Sequence, residues 1–520
     1  MRQGCPLSPL LYVLVSEVLA VNIRANPRIE GLTLPGSSSP LSPISQYVVV
    51  SDDSIRAIFE VYAVYEKGSG AKLNQSKSKG LWLGSWAARL DPPAPLDWSS
   101  AKIKTLGVFV GPGDLEVDNW QPRIAAVEKV LSSWRQRSLS FRGKALVIIA
   151  LALSRVWYVA SLIHMPDWVT LNLVRLAFHF FWGGKRELVR RAVIVQPPDQ
   201  GGFSVVDVQR KVSSLLVQWV RRFLSSHANW SHFLTFWFFS VFNCCVLDVF
   251  SRPFAFSPLA LPLFYQSLLL SWHSVNGSFL VPHSCLVMGS RSSEHAMSAV
   301  SMSAKSCYLY LLSVSVSPPH CVAKFRPMFG DLYRPTTWKS LSLFPLNRAI
   351  TDLNWKIAHG VLYTVDRLIS FGYGLDPTCF CSSPVETAPH LFYECPLARS
   401  VLSWLQSLMF KCSPLLPSLS LRHVLFAFSP DKLVSVPRIF VYLLNVCKFF
   451  IWLARNDFCF RETRPGAIVV IGQLKAQVAF YLPLYFKRFR SARRKRYFLH
   501  QWCANGTLGS VGEACLSISL

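Results

Sequence analysis

Acidic side chains are scarce in this chain. Asp and Glu number 28 against 54 Lys and Arg in 520 residues, a formal net charge of +26. That deficit turns the protein toward polyanions, because strongly basic chains most often meet nucleic acid or an anionic membrane surface. Ordered cysteine spacing is also rare. The 14 cysteines are scattered and only one group has metal-ligand spacing, so no disulfide framework is expected. A reducing, intracellular compartment, nuclear or cytoplasmic, follows. No cleavable secretory signal is evident, since the apolar run after Leu10 is broken by Glu17. G-x-S-x-G, G-x-x-x-x-G-K-[ST] and H-E-x-x-H are all missing, which removes the signatures of esterase elbows, P-loop enzymes and zincins. There is no internal repeat.

Clean apolar runs of membrane length are missing too, despite a mean hydropathy of +0.31. The uncharged run 223–247 holds Ser225, Ser226, His227, Asn229, Ser231 and His232. The run 253–290 is broken by Pro258, Pro262 and Pro282. Neither supplies about 20 consecutive apolar residues, so no spanning helix and no membrane partner are expected. No obligate protein partner is evident.

What is present supports more than one core. The chain is 51% hydrophobic, with room for about two to four domains. It opens on Arg2-Gln3-Gly4-Cys5-Pro6-Leu7-Ser8-Pro9-Leu10. Gly4 lets a backbone approach a ligand closely. Ser8 is a good N-cap and Pro9 suits the first helical position. Leu10, Leu11, Leu14, Val18 and Leu19 then recur at helical spacing and predict one buried face. Residues 31–45 read as a loop and 44–50 as a strand. Ile55, Ile58, Phe59, Tyr62 and Tyr65 predict a second helix that Gly68-Ser69-Gly70 ends. A further helix from Ala145 to Leu153 is apolar nearly all round and is expected to be buried.

The opening block, followed by Gln46-Tyr47-Val48-Val49-Val50-Ser51-Asp52-Asp53, resembles the mid-palm of reverse transcriptases from LINE-type (non-LTR) retrotransposons. Several later phrases are similar to the same family: Ala71 to Lys79, Ile103 to Val108, Ser154 to Tyr158, Phe181-Trp182-Gly183-Gly184, Gly201 to Val206, and Trp452 to Asn456. The resemblance implies an α+β fold, mostly α. It implies a partial palm over 1–123, a helical thumb-like region over 124–230, and a connector with a Ser-rich linker over 231–345. A zinc-binding module over 346–412 and a helical C-terminal region with a basic tail over 413–520 follow. The ancestral reaction is RNA-directed DNA synthesis with Mg²⁺. Arg2, Gln3 and Gly4 would lie against template-primer and nucleotide, and Lys77 or Lys79 would approach the nucleotide phosphates. The family's fingers and first catalytic aspartate precede the opening block, so the chain is expected to lack them.

The second catalytic pair is displaced. The family has Tyr-Ala-Asp-Asp, whereas three valines and a serine separate Tyr47 from Asp52 here. Either Asp52 and Asp53 are the catalytic pair moved by an insertion, or the turn is deleted and they begin the next helix. Carboxylates favour helix N-termini, and helical periodicity starts at once at Ile55, which favours the second reading. No intact catalytic set is expected, and Mg²⁺ is not expected to bind productively.

Two further groups carry chemistry. Cys379, Cys381, His390 and Cys395 offer three thiolates and an imidazole, the donor set of a closed structural Zn²⁺ site. The single-residue gap in Cys379-x-Cys381 is shorter than usual. Glu386 and Glu394 lie nearby and are expected to face solvent. Residues 487–496 hold seven cations in ten positions, namely Lys487, Arg488, Arg490, Arg493, Arg494, Lys495 and Arg496. They are expected to contact RNA or DNA phosphates. Isolated histidines such as His164, His179 and His359 are expected to pack. The function expected is that of a retrotransposon polymerase remnant, inactive as encoded. The alternative is a non-catalytic, zinc-stabilised nucleic-acid-binding protein.

Overall fold

The computed structural model describes residues 8–33, 48–225, 230–251, 256–276, 287–288, 297–298, 302–315, 318–329, 338, 340–341, 346–382, 385–428, 436–511 and 516–520. The fold is mostly helical. Among the described residues, strands occur in four two-stranded ladders, one parallel (Lys79–Leu81 with Asp97–Ser99) and three antiparallel. This is the α+β, mostly α class that the sequence predicts.

Packing divides the chain into two compact units: Met1–Lys129, Leu153–Val174 and Val208–Val314 form one, and Val130–Ala152, Arg175–Asp207 and Ser315–Leu520 the other.

In the first unit, the helix Ser8–Ala25 packs on the helix Asp52–Ser69 through Leu19, Ile23, Ile29, Ala57 and Ile58. Local capping sets the limits of the second helix. Ser51 accepts the Ser54 N–H, and Gly70, at φ 70°, returns its N–H to the Glu66 carbonyl. Val18 does not join the buried face and is 57% exposed. The expected strand ending at Val50 is reduced, over its described part, to a single bridge between Val49 and Gly31. Ile103–Thr105 pairs with Val108–Val110 across a two-residue turn. Leu106 and Gly107 both have positive φ there, the handedness that tight hairpins need. A separate core gathers Val217, Phe238, Phe250, Leu268 and Trp272 from the helices Val208–Ser225, Trp230–Phe242, Val246–Ser251 and Leu263–Asn276. Ser303, inside the serine-rich stretch, caps the helix Ala304–Ser313, which packs on Val208–Ser225.

The second unit is built on aromatic packing. Phe141 stacks on Phe181 at 5.3 Å and meets Phe203 and Trp355 at 5.7 and 5.3 Å. Trp355 Nε1 and His359 Nε2 both donate to the Gly201 carbonyl, at 3.0 and 2.9 Å. A Cβ on Gly202 would sit 2.1 Å from the Gln196 carbonyl oxygen, so only glycine fits there. His359 is a packing residue, as expected, and burial pushes its pKa down to about 4.

The apolar stretch after Phe141 departs from expectation. One α-turn, Phe141–Leu146, opens into a π-helix, Val147–Ala152, and then a 3₁₀ turn, Leu153–Arg155. The extra residue of the widened π-turn rotates the register by about 100°. Leu146, in the α-turn before the shift, and Leu151, within the widened turn, face outward, 65% and 41% exposed, instead of being enclosed.

Among the described residues, two helices near the C-terminus are long and apolar enough to cross a membrane, by length and composition. Neither lies in the runs 223–247 and 253–290 that the sequence singles out. Arg438–Arg461 has 78% of its apolar window buried within the chain, which makes it a core helix. Ala467–Phe486 has 22% buried: Val470, Leu474, Val478 and Leu482 point inward, while Ile468, Val469 and Phe480 are exposed.

Candidate metal centre and charged surfaces

The Cys379, Cys381, His390 and Cys395 ligand atoms all lie within 4.8 Å of one another. Local backbone structure brings them together. Cys379 and Cys381 flank a turn in which the Ser382 N–H meets the Cys379 carbonyl at 2.8 Å. Phe380 between them is buried and packs on Phe458 at 5.9 Å. That anchor turns the short Cys-x-Cys spacing inward from both sides. His390 starts the π-turn His390–Glu394, its N–H held by Thr387 Oγ1 at 3.1 Å. Cys395 stands at the N-cap of the helix Pro396–Cys412.

The electrostatics suit a thiolate site. The Cys379 thiol hydrogen-bonds to Cys395 and holds its pKa well below the ordinary thiol value, aided by the Leu397 and Ala398 N–H groups of the helix start. The same hydrogen bond, with burial, raises Cys379. His390 Nε2 faces Cys381 Sγ at 3.2 Å, while Nδ1 lies 3.7 Å from the Glu394 carboxylate. That separation is longer than a hydrogen bond. Three sulfurs and one nitrogen, with no room for a further protein ligand to be needed, fit a four-coordinate ion such as zinc.

Glu386 corrects the expectation of a solvent-facing side chain. It is 1% exposed. Its carboxylate accepts Arg455 Nη2 at 2.8 Å and Arg455 Nε at 3.0 and 3.1 Å, and its Oε1 also accepts the Val365 N–H at 3.1 Å. The segment that carries Cys379, Cys381 and His390 is thereby tied to the core helix Arg438–Arg461. Glu394 is exposed, as expected.

Asp52 and Asp53 occupy the first turn of their helix, and each is held by an arginine. Arg89 Nη1 and Nη2 reach the two Asp52 oxygens at 2.7 and 2.6 Å, and the same guanidinium lies over Trp82 and Trp86. Arg28 grips Asp53 at 2.8 and 3.1 Å and Glu60 at 2.6 Å. These hydrogen bonds hold both aspartates below the usual carboxylate range. Lys77 is exposed in a 3₁₀ turn, and Lys79 pairs with Asp97 at 2.9 Å. Arg2, Gln3, Gly4 and Tyr47 lie outside the described residues.

Lys487, Arg488, Arg490, Arg493, Arg494, Lys495 and Arg496 are all exposed. Aromatic anchors hold this segment. Phe489 packs on Tyr485 at 5.0 Å and on Phe498 at 5.1 Å, and Phe498 and Trp502 are fully buried. Ser491 caps the helix Ala492–Trp502, which carries the last four of the cations. Of the histidines, His164 accepts or donates to Ser267 Oγ at 2.7 Å, whereas His179 is exposed instead of packed.

No family model matches the sequence. The chain is 31% identical over 291 residues to the Transposon TX1 uncharacterized 149 kDa protein of Xenopus laevis. The match covers 53% of this chain and 22% of that protein, so the chain spans about a fifth of its relative's length.

Proposed function

We propose that this chain derives from a LINE-type retrotransposon, as part of its RNA-directed DNA polymerase, and that it binds nucleic acid without polymerising nucleotides. The likeness to a transposon protein and the opening sequence block support the origin. In this reading the segments 1–123, 124–230, 231–345, 346–412 and 413–520 correspond to palm, thumb, connector, zinc module and basic tail. Zn²⁺ at Cys379, Cys381, His390 and Cys395 is structural.

The state of Asp52 and Asp53 carries the loss of activity. Two-metal phosphoryl transfer needs carboxylates free to bridge both ions and the triphosphate. Here both aspartates lie in the first turn of one helix, and each is neutralised by its own arginine. Primer extension by the full chain on an RNA template, with Mg²⁺ or Mn²⁺, is therefore expected to stay at background. Extension that disappears in Asp53→Ala would show the pair to be catalytic and overturn this reading.

The binding half rests on the exposed tail. Its affinity for RNA and DNA falls steeply with salt, by about 0.7–0.9 in log–log slope for each phosphate contacted. Deleting 487–496 should flatten the slope by several such steps. An unchanged slope removes the tail from the interface.

A further inference from the structure

A second group of cations gathers in the aromatic core of the second unit, away in sequence from the tail. Phe141 is its centre. Lys144 Nζ lies 5.8 Å and Lys356 Nζ 5.5 Å from the Phe141 ring centroid. Lys144 Nζ also donates to the Phe181 carbonyl at 3.0 Å, which fixes it beside the turn Trp182-Gly183-Gly184-Lys185. Gly183 and Gly184 both have positive φ, 66° and 75°. A Cβ on Gly183 would meet Lys144 Nζ at 3.5 Å, and one on Gly184 would meet Arg135 Nη2 at 3.2 Å. The bare glycine faces are thus lined by the Lys144 amine at Gly183 and by the Arg135 guanidinium and the His179 ring at Gly184.

The charges in this cluster are unbalanced. Lys144, Lys185 and Lys356 act on one another, and burial together with this repulsion lowers the pKa values of Lys144 and Lys356. The one carboxylate in the group, Asp352, accepts the Phe141 N–H at 3.2 Å on both oxygens and is pushed up to about 6 by burial. Asp352 feels the charges of Lys356, Lys144 and Arg348, which oppose that upward push. The indole N–H of Trp182, whose ring lies 5.5 Å from Phe141, is buried with no acceptor. Like charges held together over a low-dielectric aromatic floor are costly unless an anion joins them.

We propose that this cluster binds a phosphodiester of a nucleic-acid strand, as a phosphate site additional to the basic tail. Lys185 is exposed and meets the strand first. Lys144 and Lys356, half-buried, provide the less screened charge behind it, and the glycine pair lets the backbone come close. The inference rests on the nucleic-acid reading above.

The test uses the full chain and a labelled single-stranded oligoribonucleotide, titrated from about 50 to about 200 mM salt. Lys185→Gln should lower the slope by about 0.7, and the triple change of Lys144, Lys185 and Lys356 to Gln by about 2. The triple change to Arg should restore it. Because Lys144 and Lys356 cover Phe141, the wild-type chain gives a second readout: the oligonucleotide should shield the Lys144, Lys185 and Lys356 amines from an acylating reagent. If 487–496 proves to carry the salt dependence while Lys185→Gln keeps the wild-type slope and the amines stay reactive, this site is wrong and the nucleic-acid reading stands. If the wild-type chain shows no salt-dependent binding, both fall. Shielding by inorganic phosphate at equal ionic strength, without shielding by the oligonucleotide, makes it a small-anion site and overturns the strand proposal.

Discussion

Chelation of the metal from the Cys379, Cys381, His390 and Cys395 centre is expected to unfold the segment around it. Structural zinc supplies roughly 10–16 kcal/mol to small zinc modules, more than most domains hold in reserve. The local core has little to replace it. Around the ligands it consists of Phe380, Leu391, Phe392 and Ala398, and the turn at Cys379–Ser382 has few other backbone bonds. Without an ion, two buried thiols, one half-buried thiol and an imidazole are left facing each other within 4.8 Å. Purified full-length chain should hold about one equivalent of zinc per polypeptide, the single closed site the four ligands can form. A chelator should abolish the melting transition of this segment, and Cys395→Ala should do the same without chelator. Metal content under half an equivalent, with a melting curve indifferent to chelator, would remove zinc from the account.

The clustering of Cys379, Cys381, His390 and Cys395 was legible because its signal is local and its residue types are rare. Four ligands fall within seventeen positions, and few other arrangements satisfy buried thiols and an imidazole. Helix limits were legible at Asp52 and Gly70 for a similar reason, since helix ends are decided by residues a few positions apart, although the cap at Ser51 was not read. Pairings over long sequence separations were not. Arg28 and Arg89 reach Asp53 and Asp52 across 25 and 37 residues, and no pattern in the chain names them as partners. Equally hidden was the burial of Lys448. It lies on the core helix Arg438–Arg461, fully buried, with no partner for Nζ among the described residues, and burial pushes its pKa down to about 7. A lysine in sequence reads as solvent-facing, and only packing on every side of that helix shows otherwise. The π-helix at Val147–Ala152 was hidden too, because an apolar run all round carries no periodicity to break.

Breaking the Glu386–Arg455 pair is expected to have the next largest effect. Both side chains are buried, with 2% and 6% of their surface exposed. Removing one partner leaves the other charge in a medium that cannot solvate it, at a cost of about 3–5 kcal/mol. Arg455→Met should therefore lower the stability of the second unit by that amount. Glu386→Gln should cost about as much, although its remaining oxygen can still accept the Val365 N–H. The double variant, Glu386→Gln with Arg455→Met, removes both charges and keeps that backbone acceptor. It should recover much of the loss, because a buried ion pair is costly to halve and far less costly to replace. Denaturant melts of the four proteins give the coupling energy directly. Zinc content, measured in parallel, should remain near one equivalent in all of them, since neither residue is a ligand. Additive losses in the double variant would mean that the two charges act independently and that the pair does not fasten the metal-binding segment to the core helix. Loss of zinc in Arg455→Met, restored in the double variant, would show the opposite: the ion pair sets the position of Pro377 to His390, and through it the approach of Cys379 and Cys381 to His390 and Cys395.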